Sequence, residues 1–186
     1  MSSLSDLVPF VLSESRKSRD LDRKSAMLQH QELLEVLPSR LKYIEDVLAR
    51  DGISRSGDDR EYMSTVGEWL VLRSALTDVR QLMPESQRGA DPALHIDLYT
   101  ISACHYIGYL FAWLLITRFE GLDFELCVDS KRNAYYQQTI LRSRSLGDEF
   151  EPVSLLMNFV RGRLDTSRPL RDLGELFDRW IHILRS

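Results

Sequence analysis

The stretch from Leu98 to Thr117, LYTISACHYIGYLFAWLLIT, contains no Asp, Glu, Lys or Arg. As a helix it is long enough to cross a bilayer, which takes about 20 apolar residues. Its middle, however, holds Ser102, His105, Tyr106 and Tyr109, which would be poorly placed in hydrocarbon. Asp97 and Arg118 bound it closely, and no flanking basic cluster sets an orientation. Outside a membrane, a helix that is apolar all round is the enclosed centre of a globular protein. The stretch is therefore expected to be a buried central helix, and no membrane contact is expected.

Helical periodicity extends outward on both sides. Downstream, Gly121 ends the apolar helix, and Phe124, Leu126 and Val128 alternate as a short extended piece. Asp129 or Ser130 is expected to cap a helix ending near Gly147. Glu151-Pro152 opens another through Leu164, and Thr166 or Ser167 followed by Pro169 starts the last one. Upstream, Asp91-Pro92 is the expected start of the central helix. A helix from Asp58 or Asp59 is expected to run to just before Pro84. Two more helices are expected from Asp22 to Leu37 and, after a kink or a fresh start at Pro38, onward to Gly52, with a short first one over Leu4–Leu12.

The chain has 186 residues, with 28 acidic and 24 basic side chains and a net charge of −4. This balance belongs to one globular domain and excludes collagenous, low-complexity and disordered classes. No cationic leader precedes an apolar run near the start, so no signal peptide is expected. Two cysteines, Cys104 and Cys127, are too few for a disulfide scaffold and match no zinc spacing, which suits a reducing, cytoplasmic setting. Residues 130–186 carry 10 basic and 7 acidic side chains, against 14 and 21 before them. Arg132, Arg142, Arg144, Arg161 and Arg163 are the candidate binding residues, since guanidinium forks pair with carboxylates and phosphates. Positive charge this dilute gives no reason to expect nucleic acid.

From Gly108 to Leu164, 57 of the 186 residues, the chain resembles the C-terminal half of the Fic/Doc (Fido) fold. The resemblance rests on order and spacing. An apolar helix ends at Gly121, an extended piece follows, and Arg132, Tyr135 and Tyr136 form an Arg-x-x-Tyr-Tyr pattern. Gly147-Asp148 and a helix opened by Glu151-Pro152 complete it. The helical periodicity gives an expected all-α fold, a single-domain helical bundle with a buried central helix and at most one short strand or hairpin, and the resemblance makes that bundle Fic-like. Residues 1–90 would supply N-terminal helices without visible kinship, and residues 91–186 a Fic-like core.

Active members of that family carry His-x-Phe-x-(Asp/Glu)-Gly-Asn-Gly-Arg at the entry to the central helix, a base followed by an anion nest. The corresponding stretch here, Leu98–Tyr109, has no acid, no Gly-x-Gly, no asparagine and no arginine. His95 and His105 are the remaining weak catalytic candidates. His95 lies too early, and His105 falls within the apolar run as core histidines do. The pairs Asp91/His95 and Asp178/His182 have one-face helical spacing but no second histidine, so no metal and no cofactor are expected. The expected function is that of a non-catalytic Fic-like protein that binds another protein as adaptor, complex subunit or regulator of a toxin or effector. Self-association is compatible with it. The alternative is a diverged nucleotide-dependent transferase in which Arg132, Arg142 or Arg144 replaces the lost phosphate contacts.

Overall fold

Asp97 adopts an extended conformation and turns its carboxylate onto the amides of Tyr99 (2.8 Å) and Thr100 (3.0 Å), which starts the central helix. The computed structural model describes residues 3–12, 21–78, 94–144, 147–164 and 172–185. After a 3-10 turn at Leu4–Asp6, the chain forms α1 (Arg23–Arg50), α2 (Asp59–Arg73), β1 (Leu76–Asp78), β2 (Leu94–Ile96) and α3 (Leu98–Ile116). β3 (Leu122–Leu126), β4 (Thr139–Ser143), β5 (Glu149–Phe150), α4 (Pro152–Leu164) and α5 (Leu173–Ile183) follow.

The central helix is enclosed as its composition requires. Ile107, Leu110, Phe111, Leu114 and Leu115 are fully buried in one core with residues of α1, α2, α4 and α5. α3 is the one described helix long and apolar enough to cross a membrane, and most of it is buried inside the protein. Gly108 lets α4 approach closely, because a Cβ there would lie 2.7 Å from the Pro152 carbonyl. Glu151 caps α4, accepting from the amides of Val153 (2.9 Å) and Ser154 (2.6 Å). α5 crosses α2 through two glycines. A Cβ on Gly67 would lie 2.7 Å from Leu173 Cβ, and one on Gly174 would meet the Arg60 carbonyl. Asp172, which caps α5, also accepts from Ser64 Oγ at 2.5 Å.

The expectation of an all-α bundle with at most one hairpin is overturned by two antiparallel sheets. β1 pairs with β2, and β3-β4-β5 form a three-stranded sheet with Leu122 opposite Ser143 and Leu141 opposite Phe150. The helix expected from Asp129 or Ser130 to Gly147 does not form: residues 131–138 are turns, and β4 follows. Gln137 sits at φ +62°, and its N–H donates to the Cys127 carbonyl at 2.7 Å, a left-handed residue that no helix continues through. Strand pairing also seats Arg142, whose guanidinium bonds Glu149 of β5, Glu125 of β3 and Asp129.

Other boundaries shift for local reasons. α2 ends at Arg73 rather than before Pro84, because Ala75 N–H donates to Asp97 and Thr100 and directs the chain into β1. Val79, Leu82, Asp91-Pro92 and the start at Thr166–Pro169 lie outside the described residues. α1 runs through Pro38 unbroken, since Leu33, Leu37 and Leu41 bury one continuous stripe that outweighs a single missing hydrogen bond. The short first helix over Leu4–Leu12 is only the 3-10 turn, followed by an extended strap whose Phe10 reaches α3.

Candidate functional site

α4, α5 and the turn before β4 enclose an open cleft of about 250 Å³. The Phe150 ring at its base lies 4.2 Å, centroid to centroid, from Trp180 of α5 and packs edge-on against Phe111 of the core. Leu155, Phe159 and Leu176 add apolar wall, and Tyr135, Ser154 and Asn158 are among its polar lining residues. Small-molecule sites usually occupy about 300–1,000 Å³, so the cleft is better sized for one large side chain than for a cofactor. Burial and the nearby carboxylates of Glu151 and Glu149 raise the Tyr135 phenol further above its ordinary value, at which it is already protonated at neutral pH. Glu151 lines the cleft, but its oxygens are bound to the first amides of α4, so it is held as a cap and not as a free base.

A second depression of about 350 Å³, between the starts of α2 and α5, is larger but polar. Two of its four carboxylates serve as caps, Asp58 for α2 and Asp172 for α5, where Asp172 also receives Ser64, and Arg60 on its lining pairs with Asp178 of α5 at 3.3 Å.

The weak catalytic candidates fall apart from both. His95 is exposed on β2, opposite Thr77. His105 lies in the second turn of α3 with Nδ1 2.9 Å from the Ile101 carbonyl, so Nδ1 carries the hydrogen, and its ring stacks on Phe10. This is a core histidine. Burial lowers its pKa below the ordinary 6.5, with the Ile101 hydrogen bond and the Glu151 charge working the other way. The unfolded chain therefore binds the proton first, and the His105 contribution to stability, complete above about pH 6.5, is lost as the pH falls toward the lowered folded value. Melting the His105→Gln variant through that window should show a shallower acid-side loss than wild type. His30, lowered by burial in the same way, would account for part of the remaining slope.

The five arginines do not converge. Arg142 is held by three carboxylates, and Glu149 is further fixed by Asn133 Nδ2 at 2.9 Å. Arg144 lies near Asp123 (3.5 Å) and Glu125 (3.7 Å), and Arg163 binds Glu68 of α2 at 2.5 Å. Arg132, in the turn, and Arg161, near the end of α4, are exposed. Arg142 is thus the clasp of the sheet, and its charge is matched within the protein.

No phosphate nest forms where the Fic motif would lie. Leu98–Tyr109 is regular helix, and the described residues with positive φ are Gly52, Gly57, Gly121, Gln137 and Gly147. The Asp97 carboxylate occupies the α3 N-terminal amides, the place an anion would take. Family models, curated proteins and solved structures give no match to this chain. Among the described residues, no three His, Cys, Asp or Glu side chains are placed to hold a metal. Burial pushes the Cys104 thiol up to about 12 and raises Cys127, so neither is an activated nucleophile.

Sequence reasoning assigned Trp180 simply to a buried helix face and placed Tyr135 on a helix. In the sequence, the cleft is signalled only by Ser154 and Asn158, two polar residues at i and i+4 within the otherwise apolar run Val153–Val160 of α4.

Proposed function

We propose that the protein works by binding another protein, without catalysis of its own, and that the cleft between α4 and α5 receives an apolar side chain of the partner. The observation that carries this reading is the cleft itself, open to solvent, with the Phe150–Trp180 ring pair and the polar side chains of Tyr135 and Asn158 in its lining. Buried aromatic contacts of this kind dominate interface energetics, and a polar rim orients what enters. The engagement of His105, Glu151 and Arg142 in structural contacts supports a binding role over a chemical one. Kinship with the Fic fold enters the proposal through α3, β3 and α4, whose order follows that pattern; the turn at 131–138 departs from it. A cytoplasmic setting suits the two buried free thiols, Cys104 and Cys127.

Titration with ATP, with and without magnesium, should give no binding heat in the micromolar range. Partner capture from the native cell should fall at least tenfold for Leu155→Glu and for Asn158→Arg and stay unchanged for Arg161→Glu, which lies outside the cleft. Magnesium-dependent nucleotide binding, or capture insensitive to both cleft variants, would overturn the reading.

A further inference from the structure

The groove between α1 and α3 holds the backbone of the N-terminal strap by means of side chains. Tyr43 Oη accepts from the Val8 N–H at 2.9 Å, Tyr106 Oη donates to the Val8 carbonyl at 3.0 Å, and Ser102 Oγ accepts from the Phe10 N–H at 2.7 Å. Arg40 donates to Tyr106 Oη at 3.1 Å, so the phenol uses both its hydrogen and a lone pair. The Phe10 ring lies among the rings of His105 (5.3 Å), Tyr106 (5.0 Å) and Tyr109 (5.5 Å), and the Arg40 guanidinium lies 5.7 Å from its centroid.

Three features distinguish this arrangement from an ordinary structural arm. An aromatic-lined groove whose hydroxyls bond an extended, proline-containing segment has the chemistry by which proline-rich peptides are recognised. Its lining carries Arg40, Tyr43, Ser102, His105 and Tyr106, groups that water can solvate when the strap leaves, so the apolar surface uncovered is chiefly that of Leu4 and Leu7, which join the core. The strap also turns Val8 and Val11 outward, 50% and 60% exposed, while Leu7 and Phe10 face inward.

We propose that this groove is a receptor for an extended segment of a partner protein in which an aromatic residue follows proline, with Ser3–Leu12 as its tethered competitor in the free protein. The chemistry of the occupant is read from the strap, where Leu7, Pro9 and Phe10 supply an apolar anchor, the extended turn and the ring. This site is separate from the α4–α5 cleft and does not depend on it.

The test uses the full chain and a fluorescent peptide with the sequence of residues 3–12. A tethered strap competes at an effective concentration in the millimolar range, so wild type should bind the free peptide weakly. The Phe10→Ala chain should bind it at least tenfold more tightly than wild type. Adding Tyr106→Phe should weaken that binding at least fivefold, and a peptide with alanine in place of its phenylalanine should not bind. Equal affinity for wild type and a folded Phe10→Ala chain would overturn the proposal. Should Phe10→Ala fail to fold, hydrogen exchange on wild type decides. Excess peptide should speed exchange at the Val8 and Phe10 amides, and no change overturns the proposal. A concentration-dependent wild-type dimer with those amides still protected would assign the groove to a second copy and also overturn it.

Discussion

Replacing Asp59 by alanine should cost about 3 kcal/mol of folding stability, the lower end of the range for removing one partner of a buried ion pair. Its carboxylate is 1% exposed and takes two bonds from Arg55 (2.6 and 3.0 Å) and two from Arg118 (2.7 and 2.8 Å). These contacts tie the first residue of α2 to the loop before it and to the chain leaving α3. Arg118 also lies over the Phe177 ring of α5, 5.6 Å from its centroid, so one carboxylate holds three helices in register. Both arginines are partly exposed and can rehydrate when it is lost, which is why the lower end applies. For a chain of this size the loss corresponds to a fall in melting temperature of roughly 6–12 °C. Asp46→Ala, which removes only an exposed pair with Lys42, should leave the melt nearly unchanged. A melting curve for Asp59→Ala within a degree or two of wild type would refute this account.

Leu110→Ala and Leu114→Ala should each cost about 2–5 kcal/mol, the sum of lost burial and the cavity left behind. Both side chains are fully buried on α3, where helices on several sides limit collapse around a cavity. Urea denaturation would measure the loss, and Trp113→Ala on the same helix, at a position 41% exposed, should cost much less. Near-equal effects at the three positions would mean that α3 is not enclosed.

The features legible in the sequence were those set by neighbours a turn apart. The lack of charge from Leu98 to Thr117 announced an enclosed helix, and Asp22, Asp58 and Glu151-Pro152 marked helix starts that their side-chain-to-amide bonds now explain. What remained hidden depends on residues far apart. β4 exists because Thr139–Ser143 pairs with residues 13 to 21 positions earlier, and a single-sequence period does not register that pairing. The apparent helical run through Arg132, Tyr135 and Tyr136 was a pattern of side-chain types without the backbone to support it, since Gln137 is left-handed. The cleft joins Tyr135 of a turn to Trp180 of the last helix, and only the Ser154/Asn158 pair hinted at an open face between them. His105 was legible as a core residue from its apolar surroundings, whereas its contact with Phe10 depended on where the strap would lie.

The glycine crossing of α2 and α5 has a kinetic consequence. Arg60, Ser64 and Gly67 meet Gly174, Asp172 and Leu173 respectively across more than a hundred residues of chain, so this contact requires closing a long loop before any of its packing is gained. The β3–β4 pairing closes a much shorter loop, 13 to 21 residues between partners, and carries a smaller penalty. The last helix is therefore the natural last piece to dock and the first to leave, and defects at Gly67 or Gly174 would act chiefly on the rate of unfolding rather than on the rate of folding.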